Sequence, residues 1–342
     1  MIGSYRQTLF FFSLASKYPT IYNKKDVIPM NYIASINAYE NLSAPENTNG
    51  VMLNGEAIAE NNTQRLLIQS LLLSEPETPD DPRLKQLQEC QTASWLNKLK
   101  NNSQKQLCVR LPDGPIETLL PSLASDFDQL SEFMGCSDEW LHERVKAVWD
   151  KHPDLSYYMI ISNEMLFASM LRGLFDAAQT CGIEKMSILL PLVNRCREAQ
   201  QQHLFIAQCA IDYDIICDVG IEIATPRAIY FAGDLAKFAD VIVFQVDELC
   251  WLLYGKAQNN GRNQYGFHET PFNEFDDIGI GTLLGVALTQ VRRSNPEVRI
   301  CASGKYVLTE KGLQFCKELG INSVIASPQL YSHTQEHKEE FD

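Results

Sequence analysis

Between residues 219 and 254 the chain reads VGIEIATPRAIYFAGDLAKFADVIVFQVDELCWLLY, and no other stretch limits the possible folds as strongly. It begins with the apolar run Val219-Gly220-Ile221-Glu222-Ile223 and passes through a helical segment. A second apolar run, Val241-Ile242-Val243-Phe244, follows and leads to the acidic pair Asp247-Glu248. Strands buried on both faces read as near-continuous apolar runs, and two of them joined through a helix make a parallel βαβ unit. A carboxylate near the carboxyl end of such a strand is costly unless a cation or a donor offsets it. Two hard carboxylates converging from neighbouring strands suit Mg²⁺ or Mn²⁺, which take oxygen ligands. A pair of solvated strand-end acids is the plainer alternative.

The same kind of apolar run recurs along the chain. Strands are expected at 31–36, 51–53, 107–111, 186–190, 298–301 and 323–326, in addition to 219–223 and 241–244. Helical stretches lie between most of them: 61–100, interrupted by the Pro-rich acidic loop 75–82, then 163–180, 195–210, 281–293 and 310–319. An inserted helical pair is expected over 127–150, with Ser137 placed to cap its second member, and a Gly- and Asn-rich loop over 256–275. Eight short strands alternating with helices point to an α/β fold, a (β/α)8 TIM barrel with inserted helices. Residues 1–30 read as an N-terminal leader, 31–332 as the barrel and 333–342 as an acidic tail. Leu9-Phe10-Phe11-Phe12 after Arg6 is too short an apolar core for a secretion signal and reads as a short helix.

The bulk properties narrow the function. A chain of 342 residues with 45% hydrophobic content suits one large domain. A formal charge of −14 argues against nucleic acid or an anionic membrane surface as the main partner. No run approaches the roughly 18 apolar residues of a membrane span. Ten scattered cysteines without a CxxC pair read as reduced thiols of a cytoplasmic protein.

Active sites of this fold sit at the carboxyl ends of the strands. The polar residues expected there are Asn54 and Glu56 after the second strand, Arg110 and Asp113 after the third, and Asn194 after the fourth. Glu222 closes the fifth strand, Asp247 and Glu248 follow the sixth, and Cys301 ends the seventh. One arginine, several acids and one cysteine around a single mouth suit a small anionic substrate held by Arg110 and a divalent metal. Plainer readings stand beside these. Arg110 can form a structural ion pair with Asp113 or Glu56, and Cys301 can be a buried inert thiol. Trp251 and Tyr254 read as core residues, and Tyr157 and Tyr158 as packing residues.

Several of these segments resemble a known family. Cys108-Val109-Arg110-Leu111-Pro112-Asp113-Gly114-Pro115, continuing to Leu119-Leu120-Pro121, is similar to the segment IRLLDPPLHEFLP of pyruvate phosphate dikinase. Ile221-Glu222-Ile223-Ala224-Thr225-Pro226 resembles IEIPSA, and Phe244-Gln245-Val246-Asp247-Glu248-Leu249 resembles IGTNDLT. Arg299-Ile300-Cys301-Ala302-Ser303-Gly304 resembles the segment built around ICGE, and residues 319–328 resemble LGIDSLSVSP. The chain is thereby similar to the C-terminal PEP/pyruvate-binding barrel of the PEP-utilising enzymes: pyruvate phosphate dikinase, PEP synthase and enzyme I of the sugar phosphotransferase system. The resemblance implies that Arg110 contacts the substrate, with Asp247, Asn54 and Asn194 as further substrate-binding positions. It implies that Glu222 and Glu248 ligate Mg²⁺ or Mn²⁺, and that Cys301 is the acid that protonates the enolate of pyruvate. It also implies a homodimer.

The sequence departs from the family at defined places. Asn54-Gly55-Glu56 stands where the family has RTE, and Asn194 stands where an arginine often follows the fourth strand. Asp247-Glu248 replaces Asn-Asp, and Ala302-Ser303 replaces the Gly-Glu that follows the cysteine. No GGxTSH-like histidine motif occurs, so phosphoryl transfer of the kinase type would rely on a separate phosphohistidine-carrying protein. Two expectations follow. One is a Mg²⁺-dependent barrel binding PEP, pyruvate or a related 2-oxo acid. The other is a catalytically degenerate barrel serving as a ligand- or protein-binding, regulatory module.

Overall fold

In the computed structural model the described residues are 30–37, 45, 47–55, 61–103, 105–112, 119–121, 123–151, 161, 163–254, 275–321 and 323–331. The readings placed on 1–29, Glu56, Asp113, Tyr157, Tyr158, most of the loop 256–275 and the tail 333–342 lie outside them.

Eight parallel strands close into a barrel in chain order. They are β1 (Asn31–Asn37), β2 (Gly50–Asn54), β3 (Gln106–Arg110), β4 (Lys185–Leu190), β5 (Ile216–Ile223), β6 (Val241–Gln245), β7 (Arg299–Ser303) and β8 (Ser323–Ala326), with β8 pairing back onto β1. The strands fall where the apolar runs place them, but two extend past one end of those runs by two residues or more. β5 begins at Ile216, taking in Cys217 and Asp218, because the Asp218 carboxylate is neutralised from β4 and β7. Arg299 Nη2 reaches it at 2.5 Å and Lys185 Nζ at 3.2 Å. β7 runs on to Ser303, since Ala302 pairs with Phe244 and Ser303 with Gln245. Cys301 is therefore the middle residue of its strand and not its end.

The helices around the barrel start at side-chain caps. Asn61 accepts from the Gln64 N–H at the start of α1 (Asn62–Leu73). Asp81 caps α2 (Pro82–Lys100), with Pro82 in the first turn. The inserted pair is α3 (Ala124–Met134) and α4 (Asp138–Lys151). Gly135 separates them at φ 64°, a left-handed cap that favours glycine, and the Ser137 hydroxyl accepts from the Trp140 N–H at 3.4 Å. α5 (Glu164–Thr180) lies tightly on α2: a Cβ on Gly173 would stand 2.5 Å from Gln91 Cβ and 2.7 Å from the Gln88 carbonyl oxygen.

The barrel interior is stacked in layers drawn from alternate strands, as the tilt of a (β/α)8 barrel requires. Met52, Leu189, Val243 and Ile325, from the even strands, form a buried apolar layer across the middle. One step towards the carboxyl ends the odd strands contribute Ser35, Arg110, Glu222 and Ser303. One step towards the amino ends the same strands contribute Ile33, Cys108, Gly220 and Cys301. The apolar layer thus divides a polar mouth from the amino-terminal half.

Candidate functional site

At the mouth, strand alternation turns Arg110, the last residue of β3, and Glu222, the penultimate residue of β5, into the barrel. They meet side-on. Arg110 Nε–H donates to Glu222 Oε1 at 2.9 Å and Nη2–H donates to Oε2 at 2.8 Å. Gln245, at the end of β6, donates its Nε2–H to the same Oε1. Glu222 is fully buried and Arg110 nearly so. A fork-to-fork guanidinium–carboxylate pair is the strongest side-chain ion pair available, and inside a barrel it is screened little by solvent. Arg110 thus forms an ion pair with Glu222, while the expected partners Asp113 and Glu56 lie outside the described residues. Gln245 escaped the sequence reading because an uncharged amide ending an apolar strand carries no signal of chemistry. Its inward position, two residues after Val243, is the clue that points to it.

The other mouth residues are also engaged. Asn54 donates to the Ser35 hydroxyl at 3.3 Å. Asn194 accepts from the Thr225 hydroxyl at 2.5 Å and donates to the Leu192 carbonyl at 2.7 Å. Thr225 itself caps α6 (Pro226–Tyr230), so Asn194 ties the loop after β4 to the start of the β5–β6 crossover. Asp247 lies in the first turn of α7 (Val246–Tyr254), and its carboxylate accepts from the N–H groups of Lys305 at 2.9 Å and Tyr306 at 3.3 Å. Those amides open the 3-10 turn Lys305–Leu308, which Gly304 reaches at φ 124°, a conformation other residues rarely adopt. Burial lifts the Asp247 carboxyl above the usual carboxylate range, and the two amide hydrogen bonds only partly oppose it. Glu248 is half-buried in the same helical turn. Trp251 and Tyr254 are half-buried too, and the Tyr254 hydroxyl donates to Asp276 Oδ2.

Cys301 stands apart from this group. It packs with the apolar layer of Met52, Leu189, Val243 and Ile325 and faces the amino-terminal side of it. Burial pushes its thiol up to about 11, against weaker opposing influences from Arg299 and Ser323, so it is neutral at physiological pH. A proton leaving Cys301 for the mouth has the apolar layer to pass.

Glu222, near the end of β5, and Glu248, in the first turn of the helix after β6, are donors of the hard type that Mg²⁺ takes. Both oxygens of Glu222 are filled by Arg110, however, and among the described residues no cluster of three or more His, Cys, Asp or Glu side chains is gathered for a metal. The donor set suits a divalent cation in kind, provided that Arg110 turns away from Glu222.

Comparison with known proteins places these residues in context. The profile of the family described as PEP-utilising enzyme, PEP-binding domain, matches residues 33–339. Pyruvate, phosphate dikinase of Treponema pallidum (strain Nichols) is 24% identical over 294 residues, which cover 75% of this chain and 32% of that protein. The Clostridium symbiosum protein of the same name is 21% identical over 318 residues, covering 84% of this chain and 36% of its own. The chain spans about a third of the length of these relatives. Among solved structures, an HpcH/Hpal aldolase/citrate lyase family protein from Burkholderia cenocepacia J2315 aligns over 93% of this chain and 95% of that one, with 8% identity and a TM-score of 0.44, too remote to assign anything.

Proposed function

The chain belongs to the PEP-utilising enzyme family as its PEP-binding domain, and on that premise we propose that its mouth binds Mg²⁺ together with PEP, pyruvate or a related 2-oxo acid. The observation that carries this reading is the buried Arg110–Glu222 pair, which brings one anion-binding group and one hard carboxylate to the same point at the strand ends. An incoming carboxylate can take over the Arg110 fork in place of Glu222. Glu222, once released, becomes a ligand together with Glu248 from the helix that follows β6. Bound Mg²⁺ would polarise the 2-oxo oxygen as a Lewis acid. Gln245 orients the Glu222 carboxylate, and Asp247 holds the loop after β7 against the mouth.

Each cation that the family uses against phosphate is absent at Asn54 and Asn194, whose side chains are spent on Ser35, Thr225 and Leu192. A charge-assisted contact is worth about 1.5–3 kcal/mol, so the loss of two weakens phosphate binding by on the order of two to four decades if the contributions add. With Cys301 on the far side of the apolar layer, protonation of an enolate at the mouth is disfavoured as well. Phosphoryl transfer on this reading is impaired, or depends on a phosphohistidine supplied by a separate protein in the cytoplasm. The same observations favour the second reading, a barrel that has kept ligand binding as a regulatory module.

Mn²⁺ in place of Mg²⁺ gives a direct test. With the protein present it should broaden the methyl proton resonance of pyruvate beyond the effect of free Mn²⁺, and Glu222→Gln should abolish the excess. Equal broadening with wild type and variant would remove Glu222 from the site.

A further inference from the structure

Beneath the apolar layer, the amino-terminal half of the barrel encloses a cavity of about 200 Å³. We propose that it is a second ligand site, for a small monocarboxylate with an apolar body of about the size of benzoate. Leu189, Val243 and Ile325 form its roof, and Cys108, Gly220 and Cys301 its walls, with Ser187 and Ser323 nearer the entrance. Barrel interiors are ordinarily filled at such positions by Val, Ile and Leu. Here Ile33 and Val241 are joined by glycine, serine and cysteine, which leave the space open. At Gly220 even a Cβ would come within 2.9 Å of Leu189 Cδ1, so nothing larger enters without displacing the roof. A dry apolar cavity of roughly 150 Å³ accepts benzene, so this volume accommodates a ring or a short alkyl chain.

The rim selects the other end of the ligand. Arg299 opens β7 at the cavity edge and gives one Nη2–H to Asp218, which leaves the remainder of its donor fork for a guest. Lys185 meets the same Asp218 oxygen at 3.2 Å, so two cations stand against that carboxylate. The neighbouring carboxylate, Asp240, accepts from the Val219 N–H at 2.8 Å. The amides of Asn31 and Gln106 complete the edge, and Gln106 is exposed. Apolar inside, and with Arg299 the charged side chain among its lining residues, the cavity fits an amphipathic anion entering head-out. It lies on the opposite side of the apolar layer from Arg110 and Glu222.

Calorimetric titration of the full chain with benzoate tests the proposal, with acetate as the anion lacking an apolar body. The expected result is saturable heat with benzoate, and binding of acetate weaker by about tenfold or more. The benzoate heat should persist in Glu222→Gln and in saturating Mg²⁺ and oxalate, and vanish in Ser187→Leu. Should Ser187→Leu fail to fold, the wild-type protein supplies the second measurement. Benzoate at ten times its Kd should slow alkylation of Cys301, followed by peptide mass mapping, by about tenfold through occupancy alone, with Cys250 and Cys316 unaffected. No saturable heat at millimolar benzoate, heat lost in Glu222→Gln, heat surviving in a folded Ser187→Leu, or unslowed Cys301 alkylation would each overturn it.

Discussion

Arg110 and Glu222 stabilise one another more by necessity than by net gain. Taking both charges out of water costs several kcal/mol per ion, and their mutual attraction with the Gln245 hydrogen bond roughly offsets it. Removing one partner strands the other. Arg110→Met is expected to lower stability by about 3–5 kcal/mol at neutral pH in urea unfolding, and adding Glu222→Gln should restore a large part of it. Asp247 behaves differently. Its carboxyl is raised from an ordinary value of 3.8, chiefly by burial. The folded state therefore holds a proton that the unfolded chain has lost, and this group's contribution to stability falls as pH climbs from 3.8 through the raised folded value. Asn carries no such charge. The melting temperature of Asp247→Asn relative to wild type should rise from about pH 4 to about pH 7, and a difference that stays flat or falls would show that the amide hydrogen bonds dominate. At this scale the sequence put Arg110 and Glu222 at the strand ends but did not tell what they hold, and it put Cys301 at the mouth, from which the apolar layer separates it. The partners of Arg110 and Asp247 lie 112 and 58 residues away and are chosen by barrel closure and loop geometry, which no local spacing records.

Among the elements, the strands were the most legible part of the chain. Parallel strands covered on both faces must be apolar almost throughout, and the runs at Ile188–Leu190, Ile221–Ile223 and Ile242–Phe244 could be little else. Their ends were less so. Polar Asp218 looked like loop until Arg299 and Lys185 neutralised it, and Ala302-Ser303 carries no strand signal, although both residues pair with β6. That two-residue difference moves Cys301 from the rim to mid-strand, and so from one side of the apolar layer to the other. The α2–α5 contact gives a prediction of its own. In a free helix Gly173→Ala would gain about 1 kcal/mol from propensity alone. Against Gln91 Cβ at 2.5 Å and the Gln88 carbonyl at 2.7 Å it meets an overpacking cost of about 1–3 kcal/mol, so the variant should be neutral to destabilised in denaturant melts. A gain in stability would mean that the two helices separate easily.

For the whole molecule, barrel closure is what turns scattered motifs into a site. Ordering eight strands in chain sequence sets the tilt that levels Arg110 with Glu222, and with it two chambers separated by one apolar layer. The carboxyl mouth holds the Arg110–Glu222 pair, while Asn54 and Asn194 present amides turned to the scaffold. Such a mouth should favour a ligand that needs the metal more than the phosphate contacts. Oxalate, which imitates the enolate of pyruvate, is that ligand. Isothermal titration with oxalate, in the absence and presence of Mg²⁺, tests the account most directly. It predicts that Mg²⁺ tightens oxalate and that oxalate tightens Mg²⁺ by the same factor, since each removes one partner of the Arg110–Glu222 pair, and that Glu222→Gln abolishes the coupling. No heat with any of Mg²⁺, oxalate, pyruvate or PEP at millimolar ligand, or coupling that survives Glu222→Gln, would contradict it.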